Sequence, residues 1–267
     1  MPTFSIQGGG TAANAAVAMA RWGLDLQFVG KVADDERGEL ILRTLEGEGV
    51  DASGVVRQRG KVSQLSFVII EASSGTSHVY YTRGNVSPLT AAEVDLAALE
   101  GMDLLVVDGE YPEAQLQLMK RAREIGVPVL LEANRNRQVA EECVQFADTV
   151  VASERAASSF TGVGNLEAIC RAMLEKGPSR AIVTMGDEGA VGMDRSGEMV
   201  RVPVVDVEVV DRTGAGDIFL AAVGYGCLKD WELQRLLRFA NVAASLSCKW
   251  IGARSAIPSR EEVERKM

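Results

Sequence analysis

Apolar and polar positions along this chain follow two periods, and the switching between them predicts most of its elements. Four short runs rich in β-branched residues, "DLLVVDG", "VPVLLEAN", "DTVVAS" and "RAIVTMGD", end in small or polar residues. Buried parallel strands look like this where they emerge at a ligand-bearing edge. Helical period marks "ANAAVAMARWG" up to Gly23, "PEAQLQLMKRAREIG", "NLEAICRAMLEKG" and "WELQRLLRFANVAASLSC". It also marks "ERGELILRTLEGEGV", with Leu40, Ile41 and Leu45 on one face. The alternation predicts an α/β protein, with helices packed on a mainly parallel sheet. "DLQFVGKV" reads as one strand, and "VPVVDVEVV" as another that runs up to Asp211.

One region departs from this rhythm. "SQLSFVIIEASSGTSHVYYTR" reads as two strands around a Ser-Ser-Gly-Thr turn, an antiparallel hairpin at about 62–84. Such a projection is either a lid or an edge decoration. With no internal repeat, low-complexity tract or linker, residues 1–267 read as a single domain.

Composition narrows the functional classes. No run of roughly 18 apolar residues occurs, so no membrane helix is expected. The opening "MPTFSIQGGG" lacks the basic and apolar regions of a secretory signal. Cys143, Cys170, Cys227 and Cys248 are widely spaced, which suits thiols in a reducing, cytoplasmic compartment. A net charge of −9 argues against a nucleic-acid partner. It leaves a phosphate ligand open, because a nest of backbone N–H groups binds anions whatever the total charge.

Two glycine clusters carry the candidate chemistry. In "VVDRTGAGDIFL", Gly214, Ala215 and Gly216 lead into a helix whose unsatisfied N–H donors and dipole favour a phosphate. Asp217 beside them is either a general base for a phosphoryl acceptor or a helix N-cap. In "GGGTAANAAVAMARWG", Gly8, Gly9 and Gly10 permit close approach of a ligand. Asn14, one helical turn on, offers a donor and an acceptor to a polyol or serves as a capping amide. A dinucleotide fingerprint requires a preceding strand, for which only "TFSIQ" is available. His78, in the hairpin, reads as a surface residue, and "DDERGE" as a solvated helix start. Asp108 and Glu132 end predicted strands at the ligand edge.

Taken with "FVGKVADDERGELILRTLEGEGVD", "VTMGDEGAV" and "GARSAIPSREEV", and in this order, the two clusters resemble the ribokinase-like (PfkB) carbohydrate kinase family over nearly the whole chain. Within it the chain looks nearest to ketose kinases: the hairpin segment is similar to that of ketohexokinase, and "GGGTAANAA" to sulfofructose kinases. The resemblance implies a three-layer α/β/α fold with a small β-lid that closes over the sugar and forms a dimer clasp. It implies ATP-dependent transfer of the γ-phosphoryl group to a hydroxyl of a ketose-like sugar, with Mg²⁺ and a monovalent cation such as K⁺. A nucleoside kinase of the same family and a non-catalytic sugar- or nucleotide-binding relative are the alternatives.

By motif match, Asp217 is the base, and Gly214, Ala215 and Gly216 form the anion hole. Gly9, Gly10, Thr11, Asn14 and Arg83 fall where the family contacts the sugar. Gly186, Gly189, Asn241 and Gly252 fall on the nucleotide side. Asp211 and Thr213 fall by the monovalent cation. Three departures accompany the match. Arg212 stands where the family has Thr, and "SERA" (153–156) replaces the family's Asn-x-x-Glu signature, leaving magnesium to ATP and water with Glu132 as a helper. Family chains also begin further upstream, with a first strand and a sugar-binding Asp that this sequence lacks.

Overall fold

Gly10, at φ 101°, turns the chain into the first helix, and the Asn14 amide closes that turn on the Gly10 carbonyl at 2.8 Å. The computed structural model describes residues 4–71, 77–135 and 137–267. In chain order the first elements are α1 (Thr11–Arg21), β1 (Leu26–Gln27), β2 (Gly30–Ala33), α2 (Glu36–Glu46), β3 (Val50–Asp51), β4 (Val55–Gln58), β5 (Leu65–Ile70) and β6 (Ser77–Thr82). Then come β7 (Leu105–Val107), α3 (Pro112–Ile125), β8 (Val129–Glu132), α4 (Arg137–Cys143), β9 (Thr149–Ser153), α5 (Glu154–Thr161), α6 (Leu166–Glu175) and β10 (Arg180–Thr184). The last are β11 (Ala190–Asp194), β12 (Met199–Val202), α7 (Ala215–Leu228), α8 (Leu233–Ser247) and α9 (Arg260–Lys266).

The chain divides into two compact units. One comprises residues 1–89, 205–221 and 242–267; the other comprises residues 90–204 and 222–241. In the second unit a six-stranded sheet runs in the order β12-β11-β10-β9-β8-β7. β7 to β10 are parallel, while β11 and β12 add antiparallel edges that the sequence pattern did not predict. β8 is buried at every position, and β9 and β10 nearly so, as strands covered on both faces must be. Leu118, Met119, Leu131, Val150, Ile169, Met173 and Val183 form the core between this sheet and its helices.

The first unit holds the short parallel pairs β1-β3 and β2-β4 and the antiparallel hairpin β5-β6. The hairpin keeps one register from Leu65↔Thr82 to Ile70↔Ser77, as expected. The expected Ser-Ser-Gly-Thr turn lies outside the described residues. "DLQFVGKV" is two strands rather than one. The Phe28 amide still bonds to Asp51, but β3 ends in a turn closed by the Val55 amide on Ala52, so Gly30 takes up a new partner in β4. A break in the partner therefore forces a break here.

Two further expectations are corrected. The buried face of α2 is Gly38, Leu42 and Leu45, whereas Leu40 and Ile41 are half-buried. The i, i+4, i+7 spacing of the first three centres the stripe on Leu42. "VPVVDVEVV" joins no sheet beyond Val202: Val205 and Val207 are half-buried between exposed neighbours, and the Val205 amide goes to the Ser245 hydroxyl at 3.1 Å. Alternating exposure follows from extended backbone, which needs no ladder partner. "DDERGE" is a helix start, with Asp35 capping α2 through the Gly38 amide at 2.8 Å, and His78 is exposed.

Candidate active site

The turn into α7 can be made only by glycine. Gly214 has φ 83°, and a Cβ there would overlap that of Ala253 and stand 2.9 Å from the Ala253 Cα. The missing side chain thus brings the 252–254 loop directly against the turn. The Ala215 amide is used within the turn, on the Arg212 carbonyl at 3.2 Å. The Gly214 and Gly216 amides have no partner among the described residues. Gly216 is exposed, with open space where a Cβ would stand. Two unpaired donors at the start of a 14-residue helix make a cradle for an anion.

Asp217, half-buried in the first turn of α7, does not stand at the N-cap position. Its Oδ2 accepts a 2.7 Å hydrogen bond from Asn14 Nδ2. Asn14 does not cap α1 either, since that helix has no side-chain cap, and it is 4% exposed. Its Oδ1 accepts from Arg254 Nε at 2.9 Å, so one amide joins a buried guanidinium to a half-buried carboxylate. Arg254, also 4% exposed, donates from Nη1 to the Thr44 hydroxyl at 3.1 Å. Burial lowers its pKa to about 10, against the pull of Glu48, with Arg21 lowering it further and Asp217 raising it. Gly8 is buried over this group and has no room for a Cβ, which would meet the guanidinium.

The remaining expected residues divide by location. Gly9 and Gly10 are exposed and Thr11 is half-buried, around the N-terminus of α1. Arg83 is exposed just after β6, with no hydrogen bond or ion pair to the described residues, so no contact ties it to Asn14 or Asp217. Asp211 is buried and staples two loops: Oδ1 accepts from the Thr213 amide and Oδ2 from the Gly252 amide, both at 2.8 Å. The Thr213 hydroxyl beside it is buried without a partner among the described residues. Gly252 has φ 92° and belongs to this stapled loop in the first unit.

Gly186, Gly189 and Asn241 lie in the second unit. Gly186 is exposed at φ 59°, while Gly189 is buried at φ 91°, where a Cβ would strike the Val202 carbonyl. Asn241, on α8, is buried and donates to that same carbonyl at 3.0 Å. In "SERA", Ser153 caps α5 through the Ala156 amide at 3.3 Å. Glu132, at the end of β8, is buried, and burial raises its pKa to about 7. Asn134 bonds its Oε1 and lowers the value, Asp108 raises it, and Oε2 has no partner among the described residues. Among the described residues no group of three His, Cys, Asp or Glu side chains is arranged to hold a metal ion.

A family model described as "pfkB family carbohydrate kinase" matches residues 1–260. The chain belongs to the pfkB family of carbohydrate kinases. A ribokinase of Bacillus subtilis is 31% identical over 265 residues, covering 98% of this chain and 88% of the relative. Solved structures of ribokinases share the fold. That from Thermotoga maritima has a TM-score of 0.83 at 27% identity, covering 96% of this chain and 86% of its own. That from Arabidopsis thaliana, complexed with ribose and ATP, has a TM-score of 0.83 at 25% identity, covering 98% and 90%. This pfkB kinase therefore has the ribokinase-like α/β fold that its sequence resembles. No helix among the described residues is long and apolar enough to cross a membrane.

Sequence reasoning nominated Asn14 and Asp217 separately and missed Arg254 between them. The signal was available in "GARSAIP", where a lone arginine sits among Gly252, Ala253, Ala256 and Ile257. A charge in so apolar a stretch is either solvated or held by something specific.

Proposed function

We propose that this chain phosphorylates a hydroxyl of a ketose-like sugar with ATP, as a single kinase domain spanning residues 1–267. The observation that carries the reading is Asp217 held by Asn14 beside the free Gly214 and Gly216 amides. The Asp217 carboxylate accepts the proton of the sugar hydroxyl as its oxygen bonds to the γ-phosphorus. The bond from that phosphorus to the bridging oxygen breaks, and ADP leaves. The glycine amides and the positive end of α7 stabilise the charge on the moving phosphoryl group. Gly9, Gly10, Thr11, Asn14 and Arg83 serve the sugar; Gly186, Gly189 and Asn241, all in the second unit, serve the nucleotide.

Mg²⁺ bound with ATP would supply positive charge to offset that of the phosphates. With "SERA" in place of an amide and a carboxylate, it would be held by ATP and water, and Glu132 would assist only when ionised. The partnerless Thr213 hydroxyl and the stapled Asp211 loop suit a monovalent cation such as K⁺. The ketose class rests on the resemblance of "GGGTAANAA" and the hairpin segment to ketose kinases. The ribokinase relatives favour a pentose as the second acceptor to test.

The hairpin is apolar on both faces. Phe67 and Tyr80 on one, and Val79 and Tyr81 on the other, are each more than half exposed. A second copy of the chain covers one face in a homodimer; sedimentation that finds monomer alone at micromolar concentration overturns this. The need for ATP and the widely spaced cysteines support a cytoplasmic location.

ADP release over a panel of ketoses and pentoses tests the reaction. Asp217→Asn is expected to lower kcat by about 10²–10⁴-fold with the fold retained. Full activity in that variant removes Asp217 from the mechanism.

A further inference from the structure

Arg254 is an expensive residue for a protein to bury. A buried guanidinium is tolerated when its charge is balanced and its N–H groups are bonded, yet here Nη2 meets no acceptor among the described residues. Much of the first unit is arranged around it all the same. Gly8 omits a side chain to make room, and Gln7 Oε1 accepts from the Arg254 amide at 3.1 Å. The Arg254 carbonyl accepts from Arg21 Nη1 at 2.7 Å, and Arg21 is in turn paired with Glu48 at 2.5 Å. Thr44 holds Nη1 and donates its own hydroxyl to Ile41 at 2.9 Å. Replacing the arginine by an apolar side chain would remove the cost of desolvating a charge, so its presence asks for a use.

The use lies in the chemistry of the asparagine. An amide group has a donor end and an acceptor end of nearly equal shape, and its orientation is decided by what faces each end. A guanidinium has no acceptor, so Arg254 Nε admits only the Asn14 oxygen, and the Asn14 nitrogen must then face Asp217. A nitrogen donor there bonds to the ionised carboxylate. A reversed amide would present its oxygen to Asp217 and favour the protonated acid, which cannot take a proton.

We infer that Arg254 is a positioning residue that fixes the polarity of the Asn14 amide and through it keeps Asp217 oriented and ionised for proton abstraction. This deepens the kinase reading and rests on it. The contact is indirect, since Arg254 touches Asn14 rather than Asp217.

Steady-state kinetics of the full chain with ATP and the best sugar of the panel test the inference. Arg254→Met, which keeps the stem as far as the Nε position and removes every donor, is expected to lower kcat by about 10–100-fold while KM for ATP stays within about twofold. Arg254→Lys, a donor-only cation on a similar stem, should recover much of that loss. In an Asn14→Ala background, Arg254→Met should add less than about twofold, because the asparagine through which it acts is gone. Should Arg254→Met fail to fold, Arg254→Lys and Thr44→Val carry the test, the latter with an expected loss of a few-fold. Unchanged kcat in folded Arg254→Met, or losses that multiply fully with Asn14→Ala, overturn the inference. A dead Asp217→Asn beside a fully active Arg254→Met sinks only the positioning role, whereas an active Asp217→Asn sinks the kinase reading beneath it.

Discussion

Each unit of the protein buries one ionisable side chain behind an asparagine, and the two arrangements differ in what the asparagine serves. In the first, Asn14 joins buried Arg254 to Asp217 at the start of α7. In the second, Asn134 donates to buried Glu132 and accepts from the amide of Ser153, the cap of α5, at 2.6 Å. Both buried groups leave one atom without a partner among the described residues, Nη2 of Arg254 and Oε2 of Glu132. Their neighbours separate them. Arg254 has the carboxylates of Glu48 and Asp217 in range and stays a cation at neutral pH, whereas Glu132 feels its burial and the like charge of Asp108, which push its pKa up to about 7. Burial alone thus does not mark the working end of a network. The first asparagine ends on a half-buried carboxylate beside free amides, while the second ends on the backbone amide of Ser153, whose hydroxyl caps a helix.

The sharpest way to press this difference is through pH. Between pH 4.5 and about 7 the folded chain keeps a proton on Glu132 that the unfolded chain releases, so stability falls as pH rises through that window. The full penalty, about 3 kcal/mol, is present above the folded pKa. Glu132→Gln is expected to remove this slope and to raise stability most at pH 8, read as denaturation midpoints at pH 5 and pH 8. An unaltered slope would mean that Glu132 is already ionised in the folded protein, and the contrast with Arg254 would lose its basis.

A smaller effect, and a sharper one for function, comes from removing each asparagine. Asn14→Ala should cut kcat by about 10–100-fold because Asp217 loses its oriented donor. Asn134→Ala should leave kcat within about twofold and lower stability by roughly 1–2 kcal/mol, from lost bonds to Glu132 and Ser153. Equal kinetic losses in the two variants would show that the second network also serves the reaction.

The family resemblance and the α/β alternation were legible in the chain because buried parallel strands and amphipathic helices leave local signatures. So was the glycine turn before Asp217, since Gly214 must adopt a φ that other residues avoid and must clear Ala253. Other features were not local. "DLQFVGKV" carries one strand pattern, but its division depends on where β3 stops, which lies in another segment. "VPVVDVEVV" has the alternation of a strand and lacks a ladder beyond Val202, because period reports extension and not pairing.

What the sequence alone determined is the set of short-range commitments: which stretches coil, which extend, and which glycines leave room for a phosphate beside an aspartate. The tertiary structure decided which distant side chains share a proton or a charge. Asn14, Asp217 and Arg254 lie at opposite ends of the chain, and a capping amide, an N-cap aspartate and a surface arginine would have looked the same in sequence. Hydrogen-bond polarity is a property of the assembled triad, because each amide end is assigned only when a donor or an acceptor is folded against it.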